Sequence, residues 1–203
     1  FTIHPTMDGS ISARVHLNNN RNLSEVQMQV TDLDGRPLGD LFTADIEKLA
    51  DQVFIEGKVN GVLPWSPEFP HLYKVVLSVK DKKDLVHQVE DRIGFRTVEL
   101  KPQDGFYVNG VKIRFKGVNR HSAWPTSGRT TSKELSILDV QLMKEMNMNA
   151  VRMSHYPPDK HFLEVCDSLG LFVMNELAGW QGYYDTQVGR KLVKELVVRD
   201  VNH

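Results

Sequence analysis

The chain of 203 residues is poor in several features that would narrow its chemistry at once. It has one cysteine, Cys166, which excludes an internal disulfide and any zinc site built from several thiolates. Its place beside Val165 in an apolar helical pattern marks it as a small buried residue and not a nucleophile. No apolar run approaches the roughly twenty residues that a bilayer span needs. Phe1 to Ser10 lacks the basic start and apolar stretch of a secretory leader, but the first residue is Phe and not Met, so the compartment stays undetermined. Charge of one sign is also missing. Lys plus Arg (25) balances Asp plus Glu (26), so the chain offers no electrostatic footprint for nucleic acid or an anionic membrane. No glycine-rich phosphate loop follows any strand, which argues against a complete small nucleotide-binding α/β protein. The histidines and aspartates show no metal-ligand spacing.

What is present is an ordinary globular composition, 40% apolar, arranged in two halves of different period. From Ile11 to about Val98 apolar and polar residues alternate, as in Ala13 to Leu17, Val26 to Val30 and Tyr73 to Val79, with Asp34-Gly35, Glu56-Gly57 and Asn60-Gly61 as turn signals. Six or seven strands at this spacing predict an antiparallel β-sandwich. Trp65 is expected in its core, and His4, His16, His71 and His87 on its surface.

Beyond Glu99 the period becomes helical. Asn109-Gly110 between two β-rich runs predicts a hairpin. Thr131-Ser132-Lys133-Glu134 has the form of a capping box, and Leu135, Leu138, Leu142 and Met146 then recur on one helical face. The run Ala150 to Met153 reads as a strand. Pro157-Pro158 opens a second helix with Phe162, Val165, Cys166 and Leu169, closed by Gly170. A strand from Leu171 to Met174 and a third helix carrying Val188, Leu192, Val193, Leu196 and Val197 complete the series. Strand and helix alternate without a hairpin signal, which demands parallel pairing. The apolar runs Ile113 to Val118 and Ala150 to Met153 each break into polar clusters, "NRHSAW" and "SHYPP", where α/β scaffolds present chemistry.

With these elements placed, the sequence resembles glycoside hydrolase family 2, the family of β-galactosidases, β-glucuronidases and β-mannosidases. Six strings in the family's order carry the resemblance: "LPWSPEFPHLYKVVLSV", "IGFRTVEL", "FYVNGVKIRFKGVNRH", "LMKEMNMNAVRMSHYPP", "VCDSLGLFVMNE" and "RDVNH". It implies an immunoglobulin-like antiparallel β-sandwich over residues 1–97, then the first three β/α units of a (β/α)8 TIM barrel over 98–203. Members of the family are retaining glycosidases, whose two carboxyls stand about 5 to 5.5 Å apart across the sugar. The resemblance places the acid/base and the nucleophile after His203, so no catalytic residue is expected within the chain. It places a sugar-binding domain before the sandwich.

The same resemblance puts Asn119, His121, Arg152 and His155 on the wall of the subsite for the terminal sugar. Asn, Arg and imidazole suit dense hydroxyls because they supply directional donors and acceptors. Arg152 could equally hold neighbouring carboxylates in place. Glu176 matches the Glu of the family's Asp-Glu pair, with Asn175 in place of the Asp; an ion pair to Arg152 or Arg199 is its alternative role. Trp124 and Trp180 would stack on a sugar or close the barrel mouth. Some family β-galactosidases bind Mg²⁺ four and six residues after this Glu; here Trp180 and Gly182 stand there, so no metal site and no cofactor is expected. The Asn-Arg-His string favours the galactosidase or glucuronidase branch over mannosidases, and a β-galactoside ranks before a β-glucuronide because no residue of the stretch can be assigned to a substrate carboxylate; a non-catalytic carbohydrate-binding or structural module is the alternative from another class. The expected partner is a carbohydrate with a terminal β-linked sugar. The sandwich is expected to support the barrel and to serve assembly into a homo-oligomer. Residues 1–203 alone would self-associate or be poorly soluble, and would not turn over an aryl β-galactoside.

Overall fold

The computed structural model describes residues 1–18, 22–48, 50–82, 84–179 and 184–203. Seven strands among them build the first half. One sheet has the order β1-β2-β5, from β1 (Thr2–Pro5), β2 (Ser10–His16) and β5 (Gln52–Lys58). The other has the order β4-β3-β6-β7, from β3 (Glu25–Thr31), β4 (Pro37–Asp45), β6 (Tyr73–Asp81) and β7 (Asp84–Ile93). All pairings are antiparallel. The period-two alternation explains the layering, because successive side chains leave opposite faces of a strand. Ile11, Ala13, Val15, Val53 and Ile55 meet Val26, Met28, Val30, Val75, Leu77 and Val79 in a single buried core between the sheets. The strand pattern begins earlier than Ile11, since β1 adds a strand whose four residues are too short to announce a period.

A three-stranded meander follows, in the order β10-β9-β8, from β8 (Val98–Lys101), β9 (Gly105–Val108) and β10 (Val111–Ile113). Val108 pairs with Val111, so Asn109 and Gly110 form the two-residue turn; both have positive φ, 52° and 78°, as a type I′ turn requires. The expected strand from Ile113 to Val118 is instead divided. Ile113 ends β10, and a new strand, β11 (Gly117–Arg120), starts after the non-strand residues 114–116.

β11, β12 (Ala150–Met153) and β13 (Phe172–Met174) form a parallel sheet in chain order, connected by α1 (Lys133–Glu145) and α2 (Lys160–Leu169) and followed by α3 (Gln187–Asp200). Gly117 allows the close approach of β11 to β12, since a Cβ there would lie 1.9 Å from the Ala150 carbonyl oxygen. Gly170 ends α2 in the left-handed conformation, φ 76°, as its position predicts. The cap of α1 lies one residue later than expected. Ser132, not Thr131, accepts the Leu135 N–H at 3.3 Å, while the Thr131 carbonyl faces Nε2 of His161 at 3.1 Å.

The buried side of α1 also differs. Ser136, Val140 and Met143 face α2 and the sheet, whereas Leu138, Leu142 and Met146 are 44%, 43% and 66% exposed. Val140 and Met143 join the core shared with α2 and the sheet, and Leu138, Leu142 and Met146 form a second apolar stripe on the outside. α3 likewise leaves Val188, Leu192, Val193 and Val197 exposed. Trp65 is buried as expected but belongs to the junction between the halves. Its indole N–H donates to the Asp167 carbonyl at 2.8 Å and its ring packs edge-on against Phe172. His4, His16 and His87 are exposed and His71 is half-buried.

Candidate functional site

The parallel register sets the site. Asn119 on β11 lies beside Arg152 on β12, which lies beside Met174 on β13. Val151 and Met153 point into the core beneath the helices, so Arg152 points to the opposite face, and Asn119 with it. Arg152 is the centre of the cluster. Its Nη2 lies 2.7 Å from Glu176 Oε2, and its Nη1 donates to Asn119 Oδ1 and to Ser154 Oγ, both at 3.3 Å. Of the two partners expected for Glu176, Arg152 is the one it takes; Arg199 instead binds Asp200 through both Nε and Nη2 at 2.6 Å.

Glu176 is held from a second side by His155, whose Nδ1 lies 3.4 Å from Oε1. Its backbone N–H donates to Asn175 Oδ1 at 2.9 Å, and Asn175 Nδ2 in turn donates to Asp200 Oδ2 at 2.5 Å. Asn202 is anchored to the sandwich and His203 to α2. Asn202 accepts the Ile3 N–H at 2.9 Å and donates to Asp91 at 3.1 Å, and His203 Nδ1 meets Asp167 Oδ2 at 2.7 Å. The Arg96 guanidinium donates to the His203 carbonyl.

The two histidines stand together at the strand ends. The rings of His121 and His155 are 5.2 Å apart and edge to face, and Tyr156 lies 6.3 Å from His121. The Tyr156 hydroxyl donates to the Ser122 carbonyl at 3.3 Å, and the Arg129 guanidinium lies over its ring at 4.7 Å. The structure therefore brings together five of the residues singled out from sequence: Asn119, His121, Arg152, His155 and Glu176. Trp180 and Gly182 lie outside the described residues. Trp124 is 43% exposed in a turn that its own N–H closes onto the Gly128 carbonyl at 2.7 Å.

Three contributors go beyond the sequence reading. Arg120, inside the Asn-Arg-His string, turns the other way into the helices. It is 6% exposed, binds Asp139 at 2.7 Å through Nε and lies over the Phe162 ring at 4.1 Å. Strand alternation between Asn119 and Arg120 is the signal for this. Tyr156 and Arg129 sit in loops, where no periodicity points to a face.

A concavity of about 720 Å³ lies along the parallel sheet and the meander and is mostly apolar, with Phe106, Phe115, Phe172 and Met174 among its lining. It reaches the cluster only through Asn119, Arg152 and Asn175, so the polar site stands at its rim and not at its floor. Chemically, the rim offers a fixed set of donors around one carboxylate. Glu176 is bound by a cation and an imidazole, which suits orientation more than attack.

Both halves of the chain match one family. Residues 1–96 match the description "Glycosyl hydrolases family 2", and residues 98–203 match "Glycosyl hydrolases family 2, TIM barrel domain". The chain belongs to glycosyl hydrolase family 2. A β-galactosidase of Thermoanaerobacterium thermosulfurigenes is 32% identical to this family 2 chain over 206 residues, which covers 96% of the chain and 28% of that relative. A putative β-glucuronidase of Formosa agariphila is 34% identical over 175 residues, covering 81% and 17%. Among solved structures, the β-glucuronidase of Bifidobacterium dentium complexed with coumarin-3-O-glucuronide superposes on the whole chain and on 35% of its own, with a TM-score of 0.84 at 24% identity, a likeness of fold. The chain thus spans less than a third of the length of the curated relatives named here.

Proposed function

We propose that this chain forms part of a retaining exo-β-glycosidase that hydrolyses β-galactosides, with Asn119, His121, Arg152, His155 and Glu176 lining the subsite for the terminal sugar and Trp180 flanking it. The observation that carries the reading is the Arg152-centred cluster at the C-terminal ends of three parallel strands, the end at which barrel enzymes place their sites. Residues 1–97 are an immunoglobulin-like sandwich in this reading, and 98–203 the first three β/α units of a TIM barrel. The exposed apolar stripes on α1 and α3 support it, because neighbouring units of a barrel would cover them.

Retention requires two carboxyls about 5 to 5.5 Å apart. The contacts among the described residues bring only Glu176 to the cluster, and Arg152 and His155 already engage it. Glu176 is therefore a positioning group, and the acid/base and nucleophile come from other parts of the enzyme. A galactoside is favoured over a uronide because Arg152, the cation of the cluster, is paired with Glu176 and is not offered to a sugar carboxylate. The β-glucuronidase reading rests on the Formosa relative's name. The test is to give the purified full-length protein aryl β-galactoside and aryl β-glucuronide and to follow the first-formed anomer by NMR. Release of the β-anomer of galactose is the expected result; turnover of neither glycoside would overturn the reading in favour of a binding module.

A further inference from the structure

The three strand-to-helix loops at the site end, residues 121–132, 154–159 and 175–186, contain a single Lys or Arg between them, Arg129. The cations in the strands themselves are committed: Arg120 to Asp139 at 2.7 Å and Arg152 to Glu176 at 2.7 Å. Arg129 makes no ion pair among the described residues. Its guanidinium lies 4.7 Å over the Tyr156 ring, and Tyr156 is fixed by the bond from its hydroxyl to the Ser122 carbonyl. Stacking uses the flat face of a guanidinium and leaves its N–H edge open, which is the geometry that takes a carboxylate in two parallel hydrogen bonds. From Arg129 the wall runs without a break through Tyr156 and His121 to His155. Among the described contacts Arg129 is thus linked to the cluster around Arg152 only through Tyr156 and the two histidines, and it touches neither Arg152 nor Glu176.

We propose that Arg129, seated on Tyr156, forms an anionic subsite that takes a carboxylate carried by the aglycone. This rests on the glycosidase reading above and adds a substrate class to it: β-glycosides whose leaving group is acidic. The test uses the full-length protein and measures equilibrium binding of three probes at low salt: phenyl β-D-galactoside, 4-carboxyphenyl β-D-galactoside and phenyl β-D-glucuronide. The carboxylated galactoside should bind about fivefold to tenfold more tightly than the neutral one, in line with a charge-assisted hydrogen bond at an exposed site. That ratio should fall toward one in Arg129→Gln, be partly kept in Arg129→Lys, and shrink as salt is raised. Equal binding of the two galactosides by the unmodified protein would overturn the subsite and leave the galactosidase reading standing, as would a ratio that survives Arg129→Gln. A preference for the glucuronide that Arg129→Gln removes would move the carboxylate to the terminal sugar and overturn the aglycone assignment. Binding of none of the three would overturn both readings together.

Discussion

Arg152 and Glu176 form a 2.7 Å ion pair at the ends of two neighbouring strands of one sheet, with the side chains 37% and 27% exposed. The pair is neither buried nor free in solvent, so its worth lies near the upper end for exposed pairs, about 1 kcal/mol, and depends on salt. Glu176→Gln should lower the unfolding free energy in urea by about that amount at low ionic strength, and by less at 1 M salt. An unchanged urea midpoint would mean that Arg152 finds another partner.

The sandwich and the parallel sheet are joined through Trp65, 3% exposed, whose ring meets Phe172 at 5.5 Å. Trp65→Ala should cost about 3 to 5 kcal/mol, the range for emptying a large aromatic site. Trp65→Phe keeps most of the volume and loses the bond to Asp167, so it should cost about 1 to 2 kcal/mol. Urea unfolding followed by circular dichroism would separate the two.

Much of this architecture is legible in the amino-acid sequence. The alternation of Val26, Met28 and Val30, the Asn109-Gly110 turn and the Gly170 cap each state a local requirement that tertiary packing leaves in place. The buried face of α1 departs from its apolar pattern for a physical reason. Leu138, Leu142 and Met146 lie outside while Ser136, Val140 and Met143 take the inner side, so packing against α2 and the sheet, and not the apolar pattern, chooses the buried face. Trp65 lies at the junction and not within the sandwich because an apolar pattern signals burial without saying which half does the burying. At the site, residue type, strand position and family resemblance together pick out Asn119, His121, Arg152, His155 and Glu176. Arg129 and Tyr156 depend on how two loops meet, which no spacing encodes, although a count of cations in those loops isolates Arg129.

Asp8, in the turn between β1 and β2, accepts hydrogen bonds from the Thr6 hydroxyl at 2.6 Å, from Lys58 at 3.0 Å and from the Ser10 N–H at 3.1 Å. These bonds, the Thr6 hydroxyl first, hold its carboxyl well below the usual carboxylate range. A carboxyl depressed on folding adds stability above its unfolded value, about 3.9, and that stability is lost as pH falls through the folded value. The melting temperature should therefore drop between pH 4 and pH 2 more steeply in the unmodified protein than in Asp8→Asn. Parallel curves would remove Asp8 from the acid transition.

Burial, and then the neighbouring Asp167 carboxylate, push the Cys166 thiol far above the ordinary cysteine value. At 1% exposure it should not react with Ellman's reagent at pH 8 in the native protein. Its labelling rate in increasing urea should follow unfolding, and prompt reaction without denaturant would place α2 away from the sheet.

The chain of contacts from Ile3 and Asp91 through Asn202 reaches the same terminal turn as Asp200, which grips Asn175 next to Glu176. Under the glycosidase reading proposed above, genetic selection for sugar hydrolysis would therefore return inactivating changes in the sandwich, away from the residues that line the sugar subsite. In evolutionary terms the two halves cannot be exchanged separately between relatives: a sandwich grafted from another enzyme would bring its own β1 and β7 to a terminal turn shaped for different partners, and the site would inherit the misfit.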